Sequence, residues 1–283
     1  MPSNQSAQSL PMKIFGVLNI TEDSFSDGGI YLSPDAAIEH GIALTNDGAD
    51  VVDIGAASSK PGAKPVEPGL EIARLAAVLQ PLRSRGIPIS IDSFSPLVQD
   101  WALDQGVEYL NDIHGFSDPL IYSKLAASSA RLIVMHALQG SGVATHQEFP
   151  PTEIFGRAVE FFAARTSALL RAGISRDRLI LDPGMGFFVG VNPENSLILL
   201  RRLPQLKQMF HLPILISVSR KSFLGTLIDR NQREPSEPHL LAATLVTELF
   251  AACNGADYIR THAPGPLKAA AIMWSLLRAH PCV

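Results

Sequence analysis

The stretch IFGVLN (residues 14–19), running directly into ITED (20–23), decides the fold. Its six residues are a short, mostly apolar run that closes on Asn19. Continuous apolar character, rather than strict alternation, is what a parallel strand buried on both faces requires. The residues that follow are equally informative. An open doubly wound sheet normally carries a Gly-rich turn after its first strand. Here the chain continues as Asn19-Ile20-Thr21-Glu22-Asp23, which weakens the open-sheet reading.

Seven further runs of the same kind follow: VVDIG (51–55), PISID (88–92), EYLND (108–112), LIVMH (132–136), LILD (179–182), ILISVS (214–219) and YIRTH (258–262). Helical patterns separate them. Ser33-Pro34-Asp35 and Asn192-Pro193-Glu194 each supply an N-cap, a proline at the first helical position and an early acid. Pro68, Pro96, Pro119, Pro238 and Pro264 also open helical stretches, and Pro204 is expected to kink or shorten the sixth helix. Eight strand–helix alternations predict an α/β chain folded as a single (β/α)8 barrel. The barrel is expected over residues 12–281, behind a flexible tail at 1–11.

Composition narrows the function. The chain has 283 residues, 46% hydrophobic, enough for a full core. With a net charge of −4 it has no basic surplus for nucleic acid. No apolar run is long enough to span a bilayer, and the N-terminus has neither the basic start nor the apolar stretch of a secretory signal. Two cysteines, Cys253 and Cys282, exclude a disulfide framework and fit a reducing cytoplasm.

Each run closes near a group suited to binding: Asn19, Asp53, Asp92, Asn111, His136, Asp182, Ser219 and Arg260. In a parallel barrel these ends converge on one face, where the βα loops build the site. LNITEDSFSDGG (18–29) can offer hydroxyls and backbone N–H groups to phosphate oxygens, although its composition fits an ordinary polar loop equally well. LDPGMGF (181–187) ends a strand on Asp182, whose carboxylate can accept two side-by-side N–H donors of a 2-amino-4-oxo pyrimidine edge. Asp-Pro-Gly by itself is also a common turn. SVSRKSFLG (217–225) places Lys221, Arg220 and serines before a helix, and YIRTH places Arg260 and His262 at the last strand end. Loops after strands seven and eight commonly bind phosphate in this barrel.

Taken in this order, with VVDIG, SID, LNDI and VMH between them, these motifs resemble the dihydropteroate synthase family from Lys13 to the last helix. The resemblance implies an enzyme of folate biosynthesis. It would join 6-hydroxymethyl-7,8-dihydropterin pyrophosphate to 4-aminobenzoate, giving 7,8-dihydropteroate and pyrophosphate. It further implies a cytoplasmic homodimer that uses Mg²⁺, with small molecules as its other partners. Carried over by position, Asp92, Asn111, Met135, Asp182 and Lys221 would bind the pterin. Asn19, Arg260 and His262 would hold the pyrophosphate, with Asn19 also at the Mg²⁺ position. Ser59, Lys60, Pro61, Phe187, Phe188 and Ser219 would bound the aminobenzoate. Asp92, Asp182, Lys221, Arg260 and His262 would carry catalysis. The first loop (Thr21–Gly29) and the second (Ala56–Gly62) would close over the site.

The chain departs from the family pattern around the aminobenzoate side. Thr21-Glu22-Asp23 stands for Thr-Pro-Asp, Ser58-Ser59-Lys60-Pro61-Gly62 for Ser-Thr-Arg-Pro-Gly, and Phe187-Phe188-Val189-Gly190 for Phe-Gly-Lys, or, with a local gap, Phe188 belongs to an insertion. The combination resembles the mobile, sulfonamide-resistant members. An extra phenyl ring could exclude a bulkier sulfonamide while passing the flat natural substrate; the other reading is that Phe188 fills core. Lys60 cannot reproduce a bidentate arginine. Three histidines are not promoted: His114 is expected as a loop residue, His136 as a packing or pocket residue, and His146 as solvated. Two rivals are a methyltetrahydrofolate:corrinoid methyltransferase and a non-catalytic pterin-binding protein. The first would have no reason for a pyrophosphate site, and the second no reason to keep Asn19, Lys221 and Arg260.

Overall fold

In the computed structural model, residues 10–21, 33–229 and 236–279 are described. Eight parallel strands form the wall: β1 (Lys13–Asn19), β2 (Val51–Gly55), β3 (Ile89–Asp92), β4 (Tyr109–Asp112), β5 (Arg131–Met135), β6 (Leu179–Asp182), β7 (Leu215–Ile216) and β8 (Tyr258–Thr261). They are paired in the order β6-β5-β4-β3-β2-β1-β8-β7. The seam between β6 and β7 is closed by a parallel bridge, Leu181 to Ile214, and by the Leu181 N–H donating to the Pro213 carbonyl at 2.9 Å. The sheet is therefore a (β/α)8 barrel and not an open one.

The strands are where the apolar runs predicted them, with one difference. ILISVS reads as six strand residues, but β7 keeps only Leu215–Ile216. Beyond it Arg220 takes a left-handed backbone conformation, φ 57°, which a non-glycine residue adopts only under tertiary constraint. Ser217 and Ser219 lie outside the ladder and line the cavity.

The helices are α1 (Pro34–Asn46), α2 (Pro68–Arg83), α3 (Pro96–Asp104), α4 (Tyr122–Ala127), α5 (Ile154–Arg171), α6 (Pro193–Arg201), α7 (Leu203–Phe210), α8 (Ser222–Ile228), α9 (Glu237–Cys253) and α10 (Pro264–Ala279). Their starts follow the cap chemistry. Ser33 Oγ accepts the Ala36 N–H and Asn192 Oδ1 accepts the Glu194 N–H. Pro204 falls at the break between α6 and α7, as its missing N–H requires.

The helices pack their apolar faces on the outside of the barrel and form the main core. Inside, Phe15, Val51, Tyr109, Ile133, Ile180, Leu215 and Tyr258 fill one end. Phe15 meets Tyr109 and Tyr258 edge-on, at centroid distances of 5.0 and 5.6 Å. That plug leaves the opposite end, where the strands terminate, open for a site. Most of the expected tail, all of the first loop beyond Thr21, and residues 230–235 lie outside the described residues. Among the described residues, no helix is long and apolar enough to cross a membrane.

Candidate active site

Two adjoining cavities open at the C-terminal ends of the strands. The deeper, about 30 Å³, is lined by Asp92, Asn111, Met135, Asp182, Lys221 and Arg260, with Ile113, Met185, Ser217, Ser59 and Phe188. The outer cleft is about 440 Å³. It is lined by Asn19, Thr21, Ser58–Pro61, Phe187, Phe188, Ser219–Ser222, Arg260 and His262, among others. Every site residue expected from the sequence therefore borders one cavity or both. Asp92, Lys221, Arg260, Phe188, Ser59 and Ser217 border both.

Arg260 is the hinge of the arrangement. Its Nε donates to Asp53 Oδ2 at 2.5 Å and its Nη2 to Asp92 Oδ2 at 2.7 Å. Asp53 is fully buried in the middle of β2, and its carboxylate fixes the guanidinium from below. Burial disfavours the Arg260 charge, but Asp53 and Asp92 outweigh it and hold its pKa above the ordinary value. In the sequence Asp53 reads only as a group near a strand end. The overlooked signal was an acid inside a buried apolar run, which must find a cationic partner.

The deep cavity holds acids under strain from desolvation. Burial raises the Asp182 pKa to about 6, against the Gly184 N–H and the Lys221 and Arg260 charges. Burial also raises Asp92, with Arg260 pulling it back. Asn111 Oδ1 is buried without a protein partner, so the deep cavity carries an unsatisfied acceptor. Asp182 is aimed by the turn after it: the Gly184 N–H donates to Asp182 Oδ1 at 2.8 Å. Gly184 has φ +73°, and a Cβ there would lie 2.2 Å from the His136 carbonyl oxygen. The glycine of LDPGMGF is thus required by close backbone approach.

Lys221 stands between the cavities. Burial, reinforced by the Arg260 charge, lowers its pKa to about 8. Its Nζ lies 4.8 Å from the centre of the Phe188 ring, a cation–π contact. Phe188 packs with Ile113, Met135, Ala137 and Ala144 in a small apolar cluster of its own, joined by Phe94 and Phe187. It therefore fills core and also borders both cavities. At the outer wall, Ser219 Oγ accepts the His262 backbone N–H at 3.2 Å and lies 3.0 Å from His262 Nδ1. The two contacts fix the orientation of the imidazole ring at the cleft wall. Burial and the surrounding cations lower the His262 pKa well below the ordinary imidazole value.

The other histidines separate. His136 is core: Nδ1 lies 3.0 Å from the Pro183 carbonyl and the ring meets Phe161 edge-on. Burial lowers its pKa to about 4, so it is neutral. His114 clamps a loop, with Nε2 2.9 Å from the Gly142 carbonyl. His146, expected only as a solvated residue, is exposed but also lines the cleft and meets Phe187 edge-on.

Among the described residues, no cluster of three or more His, Cys, Asp or Glu could hold a metal. The cleft offers instead the amide oxygen of Asn19. That single hard donor suits a magnesium ion, which keeps several waters and binds mainly through substrate phosphates.

A deep acidic slot behind a cationic cleft at the C-terminal mouth of a (β/α)8 barrel defines an enzyme for a flat heterocycle bearing an anionic tail. The family model described as "Pterin binding enzyme" matches residues 15–262. The type-2 dihydropteroate synthase of Escherichia coli is 54% identical over 255 residues, covering 90% of this chain and 92% of that one. The type-1 enzyme of Escherichia coli is 49% identical, with 91% of each chain covered. Among solved structures, a Yersinia pestis dihydropteroate synthase in complex with a sulfonamide drug superposes with a TM-score of 0.85 at 29% identity, covering 96% of this chain and 97% of that one. The Xanthomonas albilineans enzyme with 4-aminobenzoic acid gives 0.84 at 31%, covering 97% and 96%. The chain belongs to the pterin-binding enzyme family, in its dihydropteroate synthase branch.

Proposed function

We propose that this chain condenses 6-hydroxymethyl-7,8-dihydropterin pyrophosphate with 4-aminobenzoate, releasing pyrophosphate and forming 7,8-dihydropteroate. One observation carries the reading: an acidic slot and a cationic cleft adjoin, and Lys221 and Arg260 border both. Asp92, Asn111 and Asp182 meet the donor and acceptor edges of the pterin, and Met135 packs on its ring. Asn19, Arg260 and His262 hold the pyrophosphate. Ser59, Lys60, Pro61, Phe187, Phe188 and Ser219 surround the aminobenzoate.

The chemistry follows from this charge layout. Two carboxylates beside the pterin favour positive charge on the ring as the exocyclic C–O bond breaks. The Arg260 guanidinium, with the His262 imidazole beside it, meets negative charge growing on the leaving group. Bound Mg²⁺, held by Asn19 and the substrate's phosphates, would neutralise part of that same charge. Bond cleavage can therefore run ahead of attack, as in an SN1 reaction. The arylamine is neutral near pH 7 and has a free electron pair, so no dedicated general base is assigned. The cationic cleft disfavours the corrinoid methyltransferase alternative, whose substrate has no pyrophosphate.

The departures at Lys60 and Phe188 support insensitivity to sulfonamides. Cysteine usage supports a cytoplasmic location, with Cys253 free and exposed. A homodimer is supported by α9 and α10, which leave Val246 69% and Leu277 70% exposed, with Phe250 and Met273 one turn away on the same faces. Pyrophosphate release by the purified protein, with both substrates and Mg²⁺, tests the central reading, and no turnover with either substrate omitted is expected. Failure both of this assay and of complementation in a strain lacking the activity would overturn it.

A further inference from the structure

The segment between β5 and α5 forms one wall of the outer cleft through Ala144 and His146. It is not a loose loop. Its Ala144 N–H donates to the Ser59 carbonyl at 3.0 Å, tying it to the second loop. The Gln147 carbonyl accepts the Val191 N–H at 2.9 Å, and the Leu138 N–H donates to the Phe188 carbonyl at 2.9 Å. Asn195 Nδ2 reaches the Phe149 carbonyl at 3.1 Å and the Val189 carbonyl at 2.7 Å. These bonds lock the segment to the Phe187–Phe188 turn on one side and to the second loop on the other.

His146 is carried on this clamped stretch. Its ring meets Phe187 edge-on at 4.7 Å and 69°, and both side chains line the outer cleft together with Lys60 and Arg220. An edge-on contact to a ring wall fixes the width of a slot for a flat substrate. The sole acid among the described residues lining this cleft is Asp92, which lies deep and is paired with Arg260. Arg220 is engaged by Glu237 at 3.6 Å, so the outer end offers chiefly the Lys60 ammonium and the His146 ring, which suits the carboxylate end of an arylamine acid.

We propose that His146 is a specificity-determining residue of the acceptor subsite. It braces Phe187 and offers an imidazole N–H to the carboxylate of the arylamine. This rests on the proposed acceptor reading above, and adds a residue from the β5–α5 segment to it.

The test compares wild type, His146→Ala and His146→Gln with 4-aminobenzoate and with its neutral amide, 4-aminobenzamide. His146→Ala is expected to raise KM for 4-aminobenzoate about tenfold, the loss of one charge-assisted contact. Its kcat should stay within about twofold, with the pterin KM and the melting temperature unchanged. KM for the amide should hardly move, and His146→Gln, which keeps a donor, should recover much of the loss. An active wild type with an unaltered His146→Ala overturns the assignment of His146 alone. Equal KM shifts for acid and amide overturn it too, because they reveal a shape effect without carboxylate recognition. An inactive wild type overturns the acceptor reading together with this one.

Discussion

Arg260 on β8 and Asp53 on β2 are joined across β1, Nε to Oδ2 at 2.5 Å, although neither strand touches the other. In the ladder, Phe15 stands beside Arg260 and Val17 beside Asp53, so the stagger of three strands brings the two side chains together. Asp53 is buried completely and has no exposed route to another cation. Removing it leaves the guanidinium with Asp92 alone and free to swing. Asp53→Ala should lower kcat/KM at least about tenfold, or about 1.4 kcal/mol. Removing one partner of a buried pair should also cost stability of about 3 kcal/mol. Asp53→Asn, which keeps one acceptor, should lose less. Steady-state rates and denaturant midpoints measure both effects, and a loss of activity under about twofold would contradict the positioning role.

Phe188 supports the second prediction. Its ring separates the deep slot from the outer cleft and lies under the Lys221 ammonium. A sulfonamide carrying a ring on its sulfonyl nitrogen needs more width than 4-aminobenzoate at that point. The wild-type enzyme should turn over at sulfamethoxazole concentrations that stop a sensitive homologue. Phe188→Ala, or deletion of Phe188, should lower the inhibition constant at least about tenfold. Because Phe188 also packs with Ile113, Met135, Ala137 and Ala144, the alanine variant should lose about 3 kcal/mol of stability. Equal inhibition of the wild-type enzyme and the sensitive homologue would dispose of the idea.

The barrel was legible because its strands are buried on both faces, so each reads as a continuous apolar run ending in a polar group. The contacts that organise the site were less so. Asp53 looks like any strand residue until the stagger of β1, β2 and β8 sets Arg260 against it. The early end of β7 at Ile216 has no local signal, because Ser217-Val218-Ser219 continues a strand-like pattern. The place of His146 was not legible, because the path of its segment is decided by hydrogen bonds to Ser59 and Val191, which are distant in sequence. By contrast, Asp182 and its turn were readable. The Gly184 conformation and the Asp182 acceptor geometry both belong to one short motif.

The shifted acid and base of the deep slot set a pH window. Asp182, raised to about 6, is ionised in the free enzyme only above that pH. Lys221, lowered to about 8, is charged only below that pH. In the proposed pterin subsite, binding the pterin N–H edge would need the carboxylate, and contact with its oxygen would favour the ammonium. Asp92, raised to about 7 by burial, protonates first on the acid side; kcat/KM for the pterin substrate should therefore be bell-shaped, falling from about 7 through 6 and again above about 8. In Lys221→Arg, whatever activity remains should lose the alkaline limb, because a guanidinium does not titrate there. A flat profile from pH 5.5 to 8.5 would refute the assignment.

Glu248 supplies a prediction independent of catalysis. It lies on α9, fully buried, and burial raises its pKa to about 8 with only partial opposition from Thr261. In the unfolded chain the same carboxyl ionises near its ordinary value of 4.5. The folded state therefore holds a proton that the unfolded state gives up. The stabilising effect of that proton is complete below pH 4.5 and is lost progressively as pH rises to about 8. Glutamine keeps the shape and cannot ionise, so Glu248→Gln should be free of this slope. Its melting temperature relative to wild type should rise between pH 5 and pH 9 by at least about 3 °C. Asp92 and Asp182 titrate in both proteins and cancel in that difference. Thermal melts of the two proteins across this range decide the matter, and parallel curves would mean that Glu248 is already ionised in the folded protein at neutral pH.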